Sequence, residues 1–162
     1  MASVMIVAVD DNIHSFHALE WTLKHLLSTP AAASAFKLVI VHAKPTATSI
    51  INIAGAGAGD ILPFVESDLN KTASNVLLKA KMICTAQSVH NVQLETMEGD
   101  ARNVLCEAVD KFNADILVVG SHGYGAIKRA VLGSVSDHCA HRARCTVMVV
   151  KKPKNKKGES SK

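Results

Sequence analysis

An α/β architecture is expected of this chain: a three-layer α/β/α sandwich around an open, five-stranded, mostly parallel sheet. Three observations lead there. The runs VMIVAV at 4–9, LVIV at 38–41 and ILVV at 116–119 are continuously apolar rather than alternating, as strands buried on both faces must be. Segments with helical periodicity lie between successive strand candidates. The spacings leave room for the crossover helices that join parallel strands.

In chain order, the first strand (4–9) stops at Asp10, Asp11 and Asn12. A helix follows over about 15–27, where Phe16, Leu19, Leu23, Leu26 and Leu27 recur at helical spacing opposite Glu20 and Lys24, and Pro30 is expected to close it. The second strand, 37–43, ends before Pro45. Residues 46–59 carry almost no charge and finish in GAGAG, which predicts a mobile loop able to act as a lid. A long helix fits 61–89, with Val65, Leu69, Ala73, Val76, Leu77, Ala80 and Ile83 as its apolar stripe. The half-buried strand 92–97 leads to a helix over 100–112, capped by Asp100, with Val104, Leu105, Ala108 and Val109 inward. Strand 116–119, a helix over 134–143 and a last strand at 146–150 complete the series. In sheets of this kind ligands bind at the carboxyl ends of strands where the strand order reverses. That rule places Asp10, Ala43 and Gly120 at one end.

The 162 residues suit one domain, 1–151, able to bury roughly two thirds of its unfolded surface, followed by a basic, disordered tail at 152–162. The formal charge of +4 belongs to the end of the chain, since residues 151–162 hold six lysines against one glutamate. The near-neutral body argues against a nucleic-acid-binding face. No apolar run approaches the ~20 residues of a membrane span, and the first residues lack a basic leader region. A cytoplasmic or nuclear protein is expected. Cys84, Cys106, Cys139 and Cys145 form no CxxC pair and read as small buried thiols, with a redox-sensing role left open. His14 with His17, and His138 with His141, are three apart on helices, but zinc wants three or four converging ligands, so no metal site is expected there.

The segment GSHGYGAIKRAVLGSVS at 120–136 carries the chemistry. It leaves a buried strand at Gly120, and its glycines let backbone approach a ligand without a Cβ in the way. A helix start follows at Gly133 and Ser134, where free N–H groups and the positive end of a helix dipole favour an anion. Ordinary turn chemistry also fits these glycines, and Ser134 with Asp137 also reads as an N-cap pair. No GxxxxGK[ST], GxGxxG or GxSxG pattern is present, which removes support for a P-loop triphosphatase, an ordinary dinucleotide fold or a serine hydrolase.

Gly120, two residues, Gly123, nine residues, then Gly133 and Ser134 resemble the phosphate motif of the universal stress protein family. VAVDDN near the start, LVIVHAKP and CTVMVVKKP are similar to that family's first, second and last strands, and the texture resembles its small single-domain plant members. The resemblance implies an adenine nucleotide, ATP or AMP. Ala8, Val9 and Asp10 would approach the nucleoside, Ala43 the adenine, and Val119 and Gly120 the ribose side. Gly123, Gly133, Ser134, Val135 and Ser136 would line the phosphates, with the His122 N–H and Arg129 as further phosphate contacts. Asp10 with Asp11 offers a magnesium ion ligands through water, and at most one of the two faces the site. A homodimer through strand 146–150 and a stress-response role with an unidentified signalling partner are also implied. Two alternatives stand beside nucleotide binding: a slow ATPase using His122 or Asp10 to position water, and a chaperone-like or redox-linked interaction protein.

Overall fold

The computed structural model describes residues 1–55, 58–121 and 132–153. Five strands, β1 (Ser3–Ala8), β2 (Phe36–Lys44), β3 (Val92–Glu98), β4 (Ile116–Gly120) and β5 (Thr146–Val150), form one sheet in the order β3-β2-β1-β4-β5. Every pairing is parallel. The helices are α1 (Ile13–Leu26), α2 (Pro30–Ala35), α3 (Ala47–Ala54), α4 (Leu62–Ala86), α5 (Ala101–Phe112) and α6 (Ser134–Arg142).

Strand alternation divides the core in two. Met5, Val7, Leu38, Ile40 and Val118 pack beneath α1 and α4 with Leu19, Leu23, Val76 and Ala80. Ile6, Val39, Val41, Leu117 and Val119 face α5 and α6 with Val104, Leu105, Ala108 and Cys139. Both faces of β1 are therefore buried over Met5, Ile6 and Val7, which is why its middle reads Val-Met-Ile-Val without a polar residue. The α/β/α sandwich with an open parallel sheet stands as the sequence predicts.

Three local expectations are corrected. Most of the expected 46–59 loop is a helix, α3 over Ala47–Ala54: Thr46 caps it by accepting a hydrogen bond from the Ser49 amide at 3.2 Å, and Gly55, at φ +104°, ends it. A short 3-10 turn over Ala58–Ile61 then leads into α4. Pro30 opens a helix instead of closing one, because Thr29 accepts from the Ala32 amide and proline at the first helical position has no N–H to satisfy. The N-cap of α6 is Gly133, with no side-chain cap, so Ser134 and Asp137 form no capping pair. The capping of α5 by Asp100 is as expected, its carboxylate accepting from the Arg102 amide at 2.9 Å. The remaining boundaries lie within three residues of those predicted.

Burial pushes the Cys84 thiol up to about 11 and the Cys139 thiol up to about 12. In the unfolded chain both ionise near the ordinary value of 9.0. Between pH 9 and 12 the unfolded state thus holds fewer protons than the native one, so stability is intact below pH 9 and falls above it. Urea unfolding at pH 8 and pH 10.5 is expected to show a lower midpoint at the higher pH, with part of the loss removed in Cys84→Ala.

Candidate functional site

The site is built by a split in the sheet. Pairing between β1 and β2 runs as far as Ala8 with Val41, and between β4 and β5 as far as Gly120 with Val150. Pairing between β1 and β4 ends earlier, at Val7 with Val118. The two central strands part at their carboxyl ends, where the order β2-β1 on one side gives way to β4-β5 on the other. This is the topological switch point.

Each wall of the split is held by specific bonds. On the β1 side, the Val9 amide donates to the Val41 carbonyl at 3.0 Å, and the His42 ring, only 5 % exposed, hydrogen-bonds the Val9 carbonyl through Nδ1 at 2.9 Å. A carbonyl can only accept, so Nδ1 carries the proton. Both polar groups of Val9 are thereby engaged, and its side chain lies in the core beneath α1 and α4. Asp10 turns the chain into α1: its amide donates to the Ser15 hydroxyl at 3.0 Å and its Oδ1 accepts from the Asn12 amide at 2.9 Å, while the carboxylate stays exposed. Asn12 in turn caps α1 by accepting from the His14 amide.

On the β4 side, a Cβ built on Gly120 would lie 2.8 Å from the His14 carbonyl oxygen and 2.9 Å from its carbon. The first turn of α1 occupies that space. Ser121, 1 % exposed, donates its amide to the Val150 carbonyl at 3.1 Å and accepts at its own carbonyl from the Gly133 amide at 2.7 Å. That last bond delivers the start of α6 to the end of β4. The Gly133 carbonyl accepts from the Asp137 amide and from the buried Ser136 hydroxyl at 3.0 Å. With no side chain among the described residues capping α6, the amides of Ser134, Val135 and Ser136 form its first turn beside the split.

Of the residues singled out in the sequence, Ala8, Ala43, Val119 and Val135 gather on the α5 and α6 side of the sheet. Asp10, Gly120, Gly133, Ser134 and Ser136 border the same edge. His122, Gly123 and Arg129 lie outside the described residues. His42 and Ser121 were not anticipated. A lone polar residue inside an apolar strand run, or directly after one, is the signal that marks them.

The universal stress protein family model matches residues 1–151. The chain belongs to this family. Among curated universal stress proteins, it is 30 % identical to universal stress protein PHOS34 of Arabidopsis thaliana, over 94 % of this chain and 63 % of that protein. The chain thus spans less than two thirds of that relative's length. A solved universal stress protein in complex with cAMP is 25 % identical, with a TM-score of 0.66 over 91 % of this chain and 96 % of that one. A universal stress protein family protein from Arabidopsis thaliana, solved with AMP bound, is 21 % identical, with a TM-score of 0.66 over 98 % and 97 %. These likenesses carry the universal stress protein fold over 91–98 % of this chain.

Proposed function

We propose that this chain is an adenine-nucleotide-binding regulatory protein of the stress response, holding ATP or AMP where β1 and β4 part. The observation that carries the reading is the juxtaposition of that split with the start of α6, tied to β4 by the Gly133 to Ser121 bond. Small side chains at Ala8 and Ala43 leave room for a flat base, and the exposed Asp10 carboxylate accepts from ribose or base donors. The amides of Ser134, Val135 and Ser136 donate to phosphate oxygens, with the His122 amide, Gly123 and Arg129 as further phosphate contacts. Where ATP is the ligand, either Asp10 or Asp11 would hold a magnesium ion through water.

Nucleotide binding is the activity that the solved relatives support, one in complex with cAMP and one with AMP bound. The regulatory form is a homodimer through β5, whose outer edge has no partner strand among the described residues and whose Val147, Met148 and Val149 are half-buried. No described helix is long and apolar enough to cross a membrane.

Native mass spectrometry of the purified protein, followed by denaturing extraction of any retained small molecule, tests the reading. A retained adenylate on a dimer is expected. An empty monomer that ignores added ATP and AMP would overturn it. Asp10→Ala is expected to weaken adenylate binding by about 1–3 kcal/mol, measured by calorimetric titration, because a ligand donor loses its partner. Unchanged affinity would remove Asp10 from the site.

A further inference from the structure

The pairing of β1 with β2 stops one step short of what the backbone offers. In a parallel pair, successive residues of a strand turn their amide and carbonyl alternately to one neighbour and then to the other. The Val41 carbonyl accepts from the Val9 amide at 3.0 Å, so the amides and carbonyls of Val41 and Ala43 face β1, whereas the Lys44 carbonyl accepts from the Gly99 amide at 2.9 Å on the β3 side. One further step would set Val9 opposite His42 and have the Ala43 amide donate to the Val9 carbonyl. That step is not made, since the register ends at Ala8 with Val41. The Val9 carbonyl instead accepts from His42 Nδ1 at 2.9 Å.

His42 does this from the far face of the sheet. Leu38 and Ile40 belong to the core beneath α1 and α4, so strand alternation puts the buried His42 ring on that side. Ala43 turns to the opposite face, with the core of α5 and α6, at the edge where β1 and β4 part. Every position from Leu38 to Val41 is a buried aliphatic residue, and one more at 42 would pack as they do. What the imidazole adds is a donor.

We propose that His42 is a positioning residue for the adenylate: by holding the Val9 carbonyl it interrupts the β1–β2 pairing after Ala8 and keeps the Ala43 amide open to the base. The role rests on the reading of the β1–β4 split as an adenylate site. The Ala43 N–H, unpaired with β1 among the described residues, donates to a ring nitrogen of the base. Without the imidazole the Val9 carbonyl lacks a partner, which is costly at a buried position. The donor that a continued pairing supplies is the Ala43 amide, so β1 and β2 would zip one residue further and withdraw that N–H from the ligand.

Amide hydrogen exchange resolved by NMR, on the full chain with and without AMP, tests this. In the parent the Ala43 amide is expected to exchange quickly and to become protected when AMP binds, while long-range proton–nitrogen spectra show His42 protonated at Nδ1. In His42→Phe, which keeps a ring and removes the donor, the Ala43 amide is expected to be protected without ligand. Calorimetric titration of that variant should show AMP affinity lower by about tenfold, the order of one hydrogen bond. His42→Asn, whose side-chain amide can donate to the same carbonyl, should restore most of the affinity and the quick exchange. A merely structural role would lower stability without moving exchange at Ala43. If His42→Phe does not fold, the parent and His42→Asn carry the test. A protected Ala43 amide in the ligand-free parent, or parent affinity and quick Ala43 exchange in His42→Phe, would overturn the proposal. If the parent binds no adenylate, the nucleotide reading falls, and exchange in the ligand-free proteins still decides whether His42 interrupts the pairing.

Discussion

Gly120→Ala is expected to cost about 3 kcal/mol of stability, at the upper end of ordinary overpacking, and to lower the melting temperature by about 6–12 °C for a protein of this size. The new methyl would meet the backbone of His14 at 2.8 and 2.9 Å and the Ser15 amide at 3.2 Å. Backbone at a helix start cannot swing aside as a side-chain tip can, so α1 must lift away from β4. Differential scanning calorimetry of the two proteins settles the matter. A melting temperature within a degree of the parent would mean that this glycine serves only the ligand.

Gly133→Val should do the reverse. Here φ is −68° and ψ 162°, extended backbone open to any residue, so the fold is expected to lose only about 1 kcal/mol for a poor N-cap. The branched side chain would stand at the mouth of the turn whose amides are proposed to donate to the phosphates. A loss of affinity for AMP and ATP of about 100-fold or more is expected, equivalent to about 2.7 kcal/mol. Calorimetric titration, with circular dichroism to confirm the fold, reads it. Parent affinity in this variant would move the phosphates elsewhere.

The pair of glycines shows what a sequence can and cannot say. Both belong to one motif, and local reasoning gives both the same task, close approach of backbone to ligand. At Gly120 the nearest neighbour is α1, about 105 residues earlier in the chain, and no local pattern reports a contact at that range. The buried strands were legible because double-sided burial leaves β-branched and other apolar residues at every position. The helix α3 was not, since its eight residues carry no charge and the GAGAG that follows them made the whole stretch read as a loop. Its punctuation was nonetheless present in Thr46, Ser49 and Gly55. The rule of strand ends points to the carboxyl edge of the sheet as the candidate site, whereas the early parting of β1 and β4 appears only in the register. Membership of the universal stress protein family was readable from the glycine spacing together with the first, second and last strand sequences. Which amides remain open was not, because Gly133 and Val9 have theirs committed to Ser121 and Val41.

The central place of β1 has a consequence for how the protein is made. Its first neighbour, β2, is synthesised soon after it, but its second, β4, begins only at Ile116. At ribosomal speeds of about 5–20 residues per second, one flank of the most apolar strand waits roughly 5–20 s for the segment that will cover it. The clasp that ends this wait is reciprocal: the Val4 amide donates to the Asp115 carboxylate at 2.8 Å, and the Asp115 amide donates to the Val4 carbonyl at 2.9 Å. Until that clasp closes, a nascent chain exposes a sticky ribbon, and chaperone capture during translation is set by the second half of the message, not the first.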